Sequence, residues 1–162
     1  MRQNNRGLTI IITVYLVGIV SAFFLVKPTS IVLNDFDASF FGVIKTFCLN
    51  YWYIFLMWAL GLSLLGFIIN IFIVYFRGFV YGVLVVCLIK SNIKYLLAIT
   101  LIEIILFLPI FMAISYFSIM MSFNYFRNKN MKLINYQKLN FIAIIIILIY
   151  STSLEVIGGI YA

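Results

Sequence analysis

The sequence is poor in the residues that carry enzyme chemistry. It contains no histidine, only four acidic residues and only two cysteines among its 162 residues. The absence of histidine excludes catalytic triads built on an imidazole. A zinc site needs about four nitrogen, sulfur or oxygen ligands at close spacing, whereas Cys48 and Cys87 lie far apart in apolar runs. We therefore expect no catalytic residue, no metal site and no cofactor, and we interpret both cysteines as small buried hydrophobes.

Charge is scarce as well. Only 9% of the residues are charged and 66% are apolar, whereas soluble domains carry roughly 25% charged and about 45–50% apolar residues. This composition excludes a water-soluble globule and a disordered chain. The net charge of +7 comes from 11 basic residues spread over predicted loops and helix ends, without the basic stripe of a nucleic-acid-binding protein. We therefore expect contact with a lipid bilayer and its anionic headgroups, and none with nucleic acid.

Long apolar runs are what the sequence has instead. A helix needs about 20 mostly apolar residues to cross a bilayer. The sequence predicts an all-α, polytopic transmembrane helix bundle, a single integral membrane domain over residues 1–162. Its five predicted spans lie at about 8–26, 47–66, 70–89, 95–117 and 139–160.

Two alternatives concern the number of spans. The first run could be a cleaved signal peptide, since residues 20–22 resemble a small-residue cleavage site, but the apolar run continues to Val26 and favours an uncleaved anchor. The middle of the chain could instead form one long helix over 47–76 and a half-membrane dip over 78–89. That arrangement would place the basic loop 127–138 outside the cell, against the positive-inside rule.

Basic residues predict the orientation. Arg2 and Arg6 place the N-terminus in the cytoplasm. Four crossings then return the chain to the cytoplasm at the basic loop 127–138, and the fifth leaves the C-terminus outside. We expect a multi-pass protein of a bacterial cell membrane.

Arg77 is the most informative residue within the predicted spans. It lies near the middle of the third span, where an arginine costs about 2.5–3.5 kcal/mol on insertion scales and needs a partner or water. Glu103 lies at a similar depth in the neighbouring fourth span and is the expected partner. Three interpretations stay open: an ion pair that fixes helix packing, a transport or gating group, or an arginine that reaches the inner headgroups.

Glu155 lies near the outer end of the fifth predicted span. Together with Ser151 and Gly159 it occupies positions i, i+4 and i+8, so the three residues share a small polar face suited to meeting another helix. The alternative is a carboxylate at headgroup level, in contact with water.

Small residues at helical spacing let helix backbones approach closely. Gly78 and Gly82 form such a pair in the third span, and Ala59, Ser63 and Gly66 repeat the pattern in the second. We expect spans two and three to pack together through them, with contact to another subunit of a homo-oligomer as the alternative. The residues predicted to shape helix packing are Ala59, Gly61, Ser63, Gly66, Gly78, Gly82 and Pro109. Among these, Pro109 is expected to kink span four and to free a backbone carbonyl near Ile105.

Two segments of the chain carry a family resemblance. Residues 58–66 read WALGLSLLG, and residues 77–82 read RGFVYG. They resemble the stage II sporulation protein M family, which shows a W-x-L-G-x-S-x-x-G segment, then a basic residue, Gly, three residues and Gly. Glu103 with Pro109 loosely matches the Glu and Pro of that family's fourth span. The pair Leu154-Glu155 matches the end of its last span.

The resemblance covers roughly residues 47–160 and implies five spans and a non-enzymatic role. Sporulation members of the family are membrane anchors that hold a peptidoglycan amidase and a lytic transglycosylase at the septum during engulfment. Their first outer loop is long, whereas the predicted loop 27–46 is short. Shorter relatives resemble this chain better in length, and some of them accompany export or self-immunity systems for circular bacteriocins. The resemblance thus implies a scaffold for peptidoglycan hydrolases or other proteins, with a membrane subunit that partners an ATPase as the alternative; an integral enzyme is the third and weakest hypothesis.

Overall fold

The computed structural model describes residues 2–27, 40–63, 65–126 and 133–161. Within these ranges the chain is helical and contains no strand. Most of the two predicted polar loops, over 27–46 and 127–138, lies outside the described residues. The helices are α1 (Arg2–Leu25), α2 (Phe40–Leu60), α3 (Gly66–Ser91), α4 (Ile93–Ile102), α5 (Leu108–Phe126) and α6 (Leu133–Tyr161), with a π-helical turn at Glu103–Phe107 between α4 and α5.

The helices match the predicted class of fold. Because α4, the π-helical turn and α5 follow one another directly, they form one long fourth span. In the part of the chain that the structure describes, five helical segments are long and apolar enough to cross a membrane: Gly7–Leu25, Phe40–Leu60, Gly66–Ile89, Ile93–Phe123 and Tyr136–Tyr161. The prediction of an all-α chain with five membrane-spanning helices is confirmed.

Two predicted boundaries of the second span were wrong. α2 begins at Phe40 rather than near residue 47, so that Lys45 lies on the helix with its side chain exposed. Because a lysine can extend its ammonium group away from an apolar helix, its charge does not end the helix. α2 ends at Leu60 and α3 begins at Gly66, earlier than the predicted break over 66–70, which excludes one helix over 47–76. A Cβ atom on Gly66 would clash with the carbonyl oxygen of Leu60, so the turn needs a glycine there.

α1 packs against α3 through small residues. A Cβ atom added to Gly78 would clash with the carbonyl oxygen of Tyr15, and one added to Gly82 would lie 2.7 Å from the Cβ of Ala22. A Cβ atom on Gly18 would clash with the α3 backbone in the same way. Since Tyr15 lies beside Gly78 and Ala22 beside Gly82, the two helices run in the same direction.

This contact corrects the predicted pairing of spans two and three. Gly78 and Gly82 face α1 and not α2, because Gly18 and Ala22 give α1 a small-residue face of its own. Ser63 and Gly66 do not extend a helical stripe with Ala59, since both lie at the turn where α2 has already ended.

The fourth span lies at the centre of the bundle and contacts α1, α2, α3 and α6. Its Phe107 and Phe111 have no exposed surface, and they belong to one cluster with Ile54 and Met57 of α2 and Ile147 of α6, which are also fully buried. The central position of this span explains why its polar residues meet partners from several helices.

The fourth span continues through Pro109 by means of the π-helical turn. The N–H of Leu108 donates to the carbonyl of Glu103, five residues back. Pro109 has no N–H with which to bond the carbonyl of Ile105. The extra residue of the turn lies at the point where the proline interrupts the α-helical pattern. The turn also begins at Glu103, the only acidic residue of this span.

The α1–α3 contact generates a stability prediction. We expect Gly78→Ala to lower the free energy of unfolding by about 1–3 kcal/mol, because the new methyl group forces the two backbones apart. Thermal unfolding of the purified chain in detergent measures the effect. Gly159→Ala on the exposed face of α6 is the matched control, and equal melting temperatures for the two variants would contradict the contact.

Candidate functional site

Arg77 of α3 and Glu103 of the fourth span lie in direct contact. The Nη2 atom of Arg77 is 3.0 Å from Oε1 and 3.3 Å from Oε2 of Glu103. The side chains are 9% and 1% exposed, respectively. The structure thus brings together the two residues that the sequence singled out as partners.

Two further side chains form hydrogen bonds with the pair, while Nε of Arg77 has no partner among the described residues. The hydroxyl of Tyr150 on α6 donates to Oε2 of Glu103. Nη2 of Arg77 also donates to Oδ1 of Asn50 on α2, at 3.3 Å. Buried charges persist in a low-dielectric interior when they are paired and hydrogen-bonded. Both charges meet this condition here through contacts to α2 and α6.

Aromatic rings enclose the guanidinium group. Its Cζ atom lies 4.3 Å from the ring centroid of Phe107 and 5.8 Å from that of Tyr53. Both distances are within the range of cation–π attraction. Phe107 also contacts the ring of Tyr150, with 5.1 Å between centroids. Rings from α2 and the fourth span thus lie against the guanidinium group.

The depth of Arg77 bears on the third interpretation of this residue. At 1.5 Å per residue, Arg77 lies roughly 16 Å from the start of α3 and roughly 21 Å from its end. The residue is 7% exposed, and its guanidinium group contacts Glu103. The alternative in which it reaches the headgroups is therefore wrong, and a local packing or gating group is left.

A cavity of about 180 Å³ lies beside the ion pair. Arg77, Glu103 and Tyr150 line its deep end, and Thr46 and Glu155 line the part nearest the helix ends at which α2 begins and α6 finishes. Apolar side chains form most of the remaining wall: Val80, Leu84, Ile99 and Leu154.

Glu155 is buried in this cavity wall rather than displayed at a surface. It is 6% exposed and accepts a hydrogen bond from the Thr46 hydroxyl at 2.5 Å. Of its predicted companions, Ser151 is fully buried, whereas Gly159 is exposed. The three residues therefore do not form one common contact face, and the carboxylate of Glu155 is packed against Thr46 rather than exposed.

A second polar cluster surrounds the turn between α2 and α3. Tyr136 donates to the carbonyl of Trp58 at 2.8 Å, and Ser122 donates to the carbonyl of Ser63 at 2.7 Å. Asn70 donates to the hydroxyl of Ser118. Tyr136 thus bonds a carbonyl at the end of α2, where the carbonyls of Met57, Ala59 and Leu60 accept from backbone N–H groups of the turn.

Sequence reasoning missed most of these partners. Asn50, Tyr150 and Tyr136 carry no signal of their own, because single polar residues in apolar helices do not reveal which helix they face. Ser118 and Ser122 lie four residues apart, a helical spacing that indicates one polar face of the fourth span. Gly61, expected in helix packing, lies in the turn, where a Cβ atom would be 2.4 Å or 2.6 Å from the hydroxyls of Tyr136 and Ser118.

Comparison with known proteins supplies the family. The family model for stage II sporulation protein M matches residues 10–161, almost the whole chain. The chain belongs to the stage II sporulation protein M family. No curated protein and no solved structure matches it. With five apolar helices, this member of the stage II sporulation protein M family is a multi-pass membrane protein.

The residues that carried the resemblance have structural roles in this member of the family. Gly61, Ser63 and Gly66 of the first segment build the turn after α2. In the second segment, Arg77 forms the ion pair and Gly78 contacts α1. The pattern therefore marks how α2 and α3 are joined and anchored.

The ion pair generates the next prediction. We expect Glu103→Gln to lower the free energy of unfolding by about 3–5 kcal/mol, because it leaves the buried arginine without a counter-charge. Chemical unfolding in detergent, followed by circular dichroism, measures this loss.

The double variant Arg77→Met/Glu103→Gln is the control for this prediction. It removes both charges and should recover much of the lost stability. A double variant as unstable as the sum of its single changes would show that the two charges do not stabilise each other.

Proposed function

We propose that the protein is a non-enzymatic membrane scaffold that holds partner proteins at a bacterial cell membrane. The partners expected from the family resemblance are peptidoglycan hydrolases that act outside the cytoplasm. Family membership and five apolar helices support a membrane role. The specific scaffold role rests on the way in which the polar groups of the bundle are arranged.

The observation that carries the proposal is the apolar layer between the two polar clusters. The Arg77–Glu103 pair lies on one side of it, and the cluster at the α2–α3 turn lies on the other. Ile54, Val74 and Ile114, each at most 1% exposed, belong to the packed core between them. A transport route needs polar groups along a continuous path. In the described residues, the largest polar groups of the interior lie in two clusters with mostly apolar packing between them, which favours a rigid scaffold.

One observation favours a second function. Only 14 residues separate Leu25 from Phe40, so the chain between α1 and α2 offers little surface to an extracytoplasmic hydrolase. A membrane subunit of an export or immunity system, working with an ATPase, does not need a long outer loop. We keep this as the alternative function.

Orientation is part of the proposal. We expect the N-terminus in the cytoplasm and the C-terminus outside, because Arg2 and Arg6 flank the first span. In a chain whose native cysteines are replaced by serine, a membrane-impermeant maleimide added to intact cells should label Tyr161→Cys. Gln3→Cys should react only after the cells are permeabilised. Labelling of both positions in intact cells would contradict five crossings with this orientation.

Recovery of partners tests the scaffold. The tagged chain, purified from native membranes in a mild detergent, should carry peptidoglycan hydrolase activity, measured on isolated cell walls and assigned by mass spectrometry. An equally expressed, unrelated five-span protein is the control. Arg77→Ala leaves the buried Glu103 without its counter-charge and weakens the packing of the helices. This variant should therefore lower both the abundance of the protein and the recovery of hydrolase.

A transport assay in reconstituted vesicles distinguishes the export function from the scaffold function. If the chain, reconstituted with its ATPase, moves a bacteriocin peptide across the bilayer, the export function is correct. Loss of that flux in Arg77→Ala, with abundance and partner recovery unchanged, would overturn the scaffold proposal and assign a gating role to the arginine.

A further inference from the structure

The cavity beside the ion pair holds a carboxylate that the packing of the bundle does not explain. Arg77 offsets the charge of Glu103, at 3.0 Å. Glu155 lines the same cavity, is 6% exposed and contacts the neutral hydroxyl of Thr46. Within the described ranges, no lysine or arginine lies within salt-bridge distance of Glu155. An ionised Glu155 therefore leaves the cavity with one negative charge in excess.

A buried carboxylate without a cationic neighbour is costly in an apolar environment. A cation in the cavity would remove that cost. The two lysines closest in sequence to the cavity wall, Lys45 and Lys94, have exposed side chains. A cation bound in the cavity would supply the missing charge.

The wall of the cavity indicates which kind of cation fits. It presents the rings of Tyr81, Tyr95 and Tyr150 together with aliphatic side chains. Aromatic rings attract organic ammonium groups through their faces. A metal ion would need several oxygen ligands, and the described residues contain no group of three His, Cys, Asp or Glu side chains that could hold one.

The size of the cavity agrees with this class of ligand. Its volume of about 180 Å³ is well above the roughly 10–15 Å³ of cavity space that one water molecule needs. Thr46 and Glu155 each lie six residues from the nearest helix end, which places them roughly 9 Å below that end. A small ammonium group can therefore enter from the membrane surface and remain close to headgroup level.

We propose that this cavity binds the ammonium group of a small organic cation, with Glu155 as its counter-charge and Tyr81 as an aromatic wall. The group can belong to a free amine or to the headgroup of an aminophospholipid, because both present the same chemistry. The proposal goes beyond the scaffold role and does not rest on it. Arg77 and Glu103 form the floor of the site and do not bind the cation.

Titration of the full-length chain in an uncharged detergent tests the proposal. The probes are ethanolamine hydrochloride and tetramethylammonium chloride, with sodium chloride at equal ionic strength as the control. We expect both organic cations to raise the melting temperature and to bind measurably by calorimetry. Glu155→Gln should weaken binding about tenfold or more, since the contact to the charged acceptor is lost. The amide of this variant still accepts the Thr46 hydrogen bond, so the bundle is expected to fold.

Two variants of Tyr81 test the contribution of its aromatic ring to binding. Tyr81→Leu removes the ring and should weaken ammonium binding about threefold or more, whereas Tyr81→Phe keeps the ring and should preserve binding. Ser153→Ala, on the same helix as Glu155 but outside the cavity lining, is the matched control. Equal affinities of the wild type and Glu155→Gln, or stabilisation by sodium to the same extent as by the organic cations, would overturn the proposal.

Lipids distinguish the two sources of the ammonium group. Native mass spectrometry of the wild type mixed with phosphatidylethanolamine or phosphatidylglycerol should show selective retention of phosphatidylethanolamine if the headgroup is the ligand, and Glu155→Gln should lose it. Binding of free ethanolamine without any lipid selectivity assigns a soluble amine. Absence of binding in both arms would overturn the cation site and would leave the scaffold proposal untouched.

Discussion

The burial of one arginine and one glutamate in the middle of the bundle sets the arrangement of its helices. Each charge alone costs several kcal/mol when it leaves water. Arg77 comes from α3 and Glu103 from the fourth span, and their remaining hydrogen bonds come from Asn50 of α2 and Tyr150 of α6. Since a displaced helix would leave a charge unpaired, the pair fixes the depth and rotation of four of the five spans relative to one another.

The same constraint acts on the backbone at the other polar cluster. α2 ends at Leu60, and backbone N–H groups of the following turn bond the carbonyls of Met57, Ala59 and Leu60. Tyr136 and Ser122 supply donors to the carbonyls of Trp58 and Ser63. The turn between α2 and α3 thus receives its side-chain donors from the fourth span and α6. The bundle thus has polar anchors at two depths and apolar packing between them.

The sequence predicted the fold class well, because composition and run length depend only on the solvent. It also identified Arg77 and Glu103, since a charge in an apolar helix is conspicuous and needs a partner. It failed at the second span, where Lys45 resembled a loop residue and the turn at 61–65 was placed too late. The hydropathy of the chain changes too little at these two boundaries to locate them from the sequence.

The neighbours of the glycines were also beyond sequence reasoning. The spacing of Gly78 and Gly82 indicates a close contact with another helix. Every helix of the bundle contains small residues, however, so the spacing does not identify the partner helix. The structure pairs them with Gly18 and Ala22 of α1. Similarly, the hydroxyl of Thr46 and the carboxylate of Glu155 are far apart in the chain, and only folding brings them into one cavity wall.

The shared direction of α1 and α3 has a consequence for how such a chain can change over evolution. Helices that cross a membrane in succession alternate in direction, so α1 and α3 are parallel only while an odd number of spans lies between them. Loss of α2, or gain of one span beside it, would invert α3 and carry the glycines away from Tyr15 and Ala22. Insertions at this place are therefore tolerated only as helical hairpins, two crossings at a time.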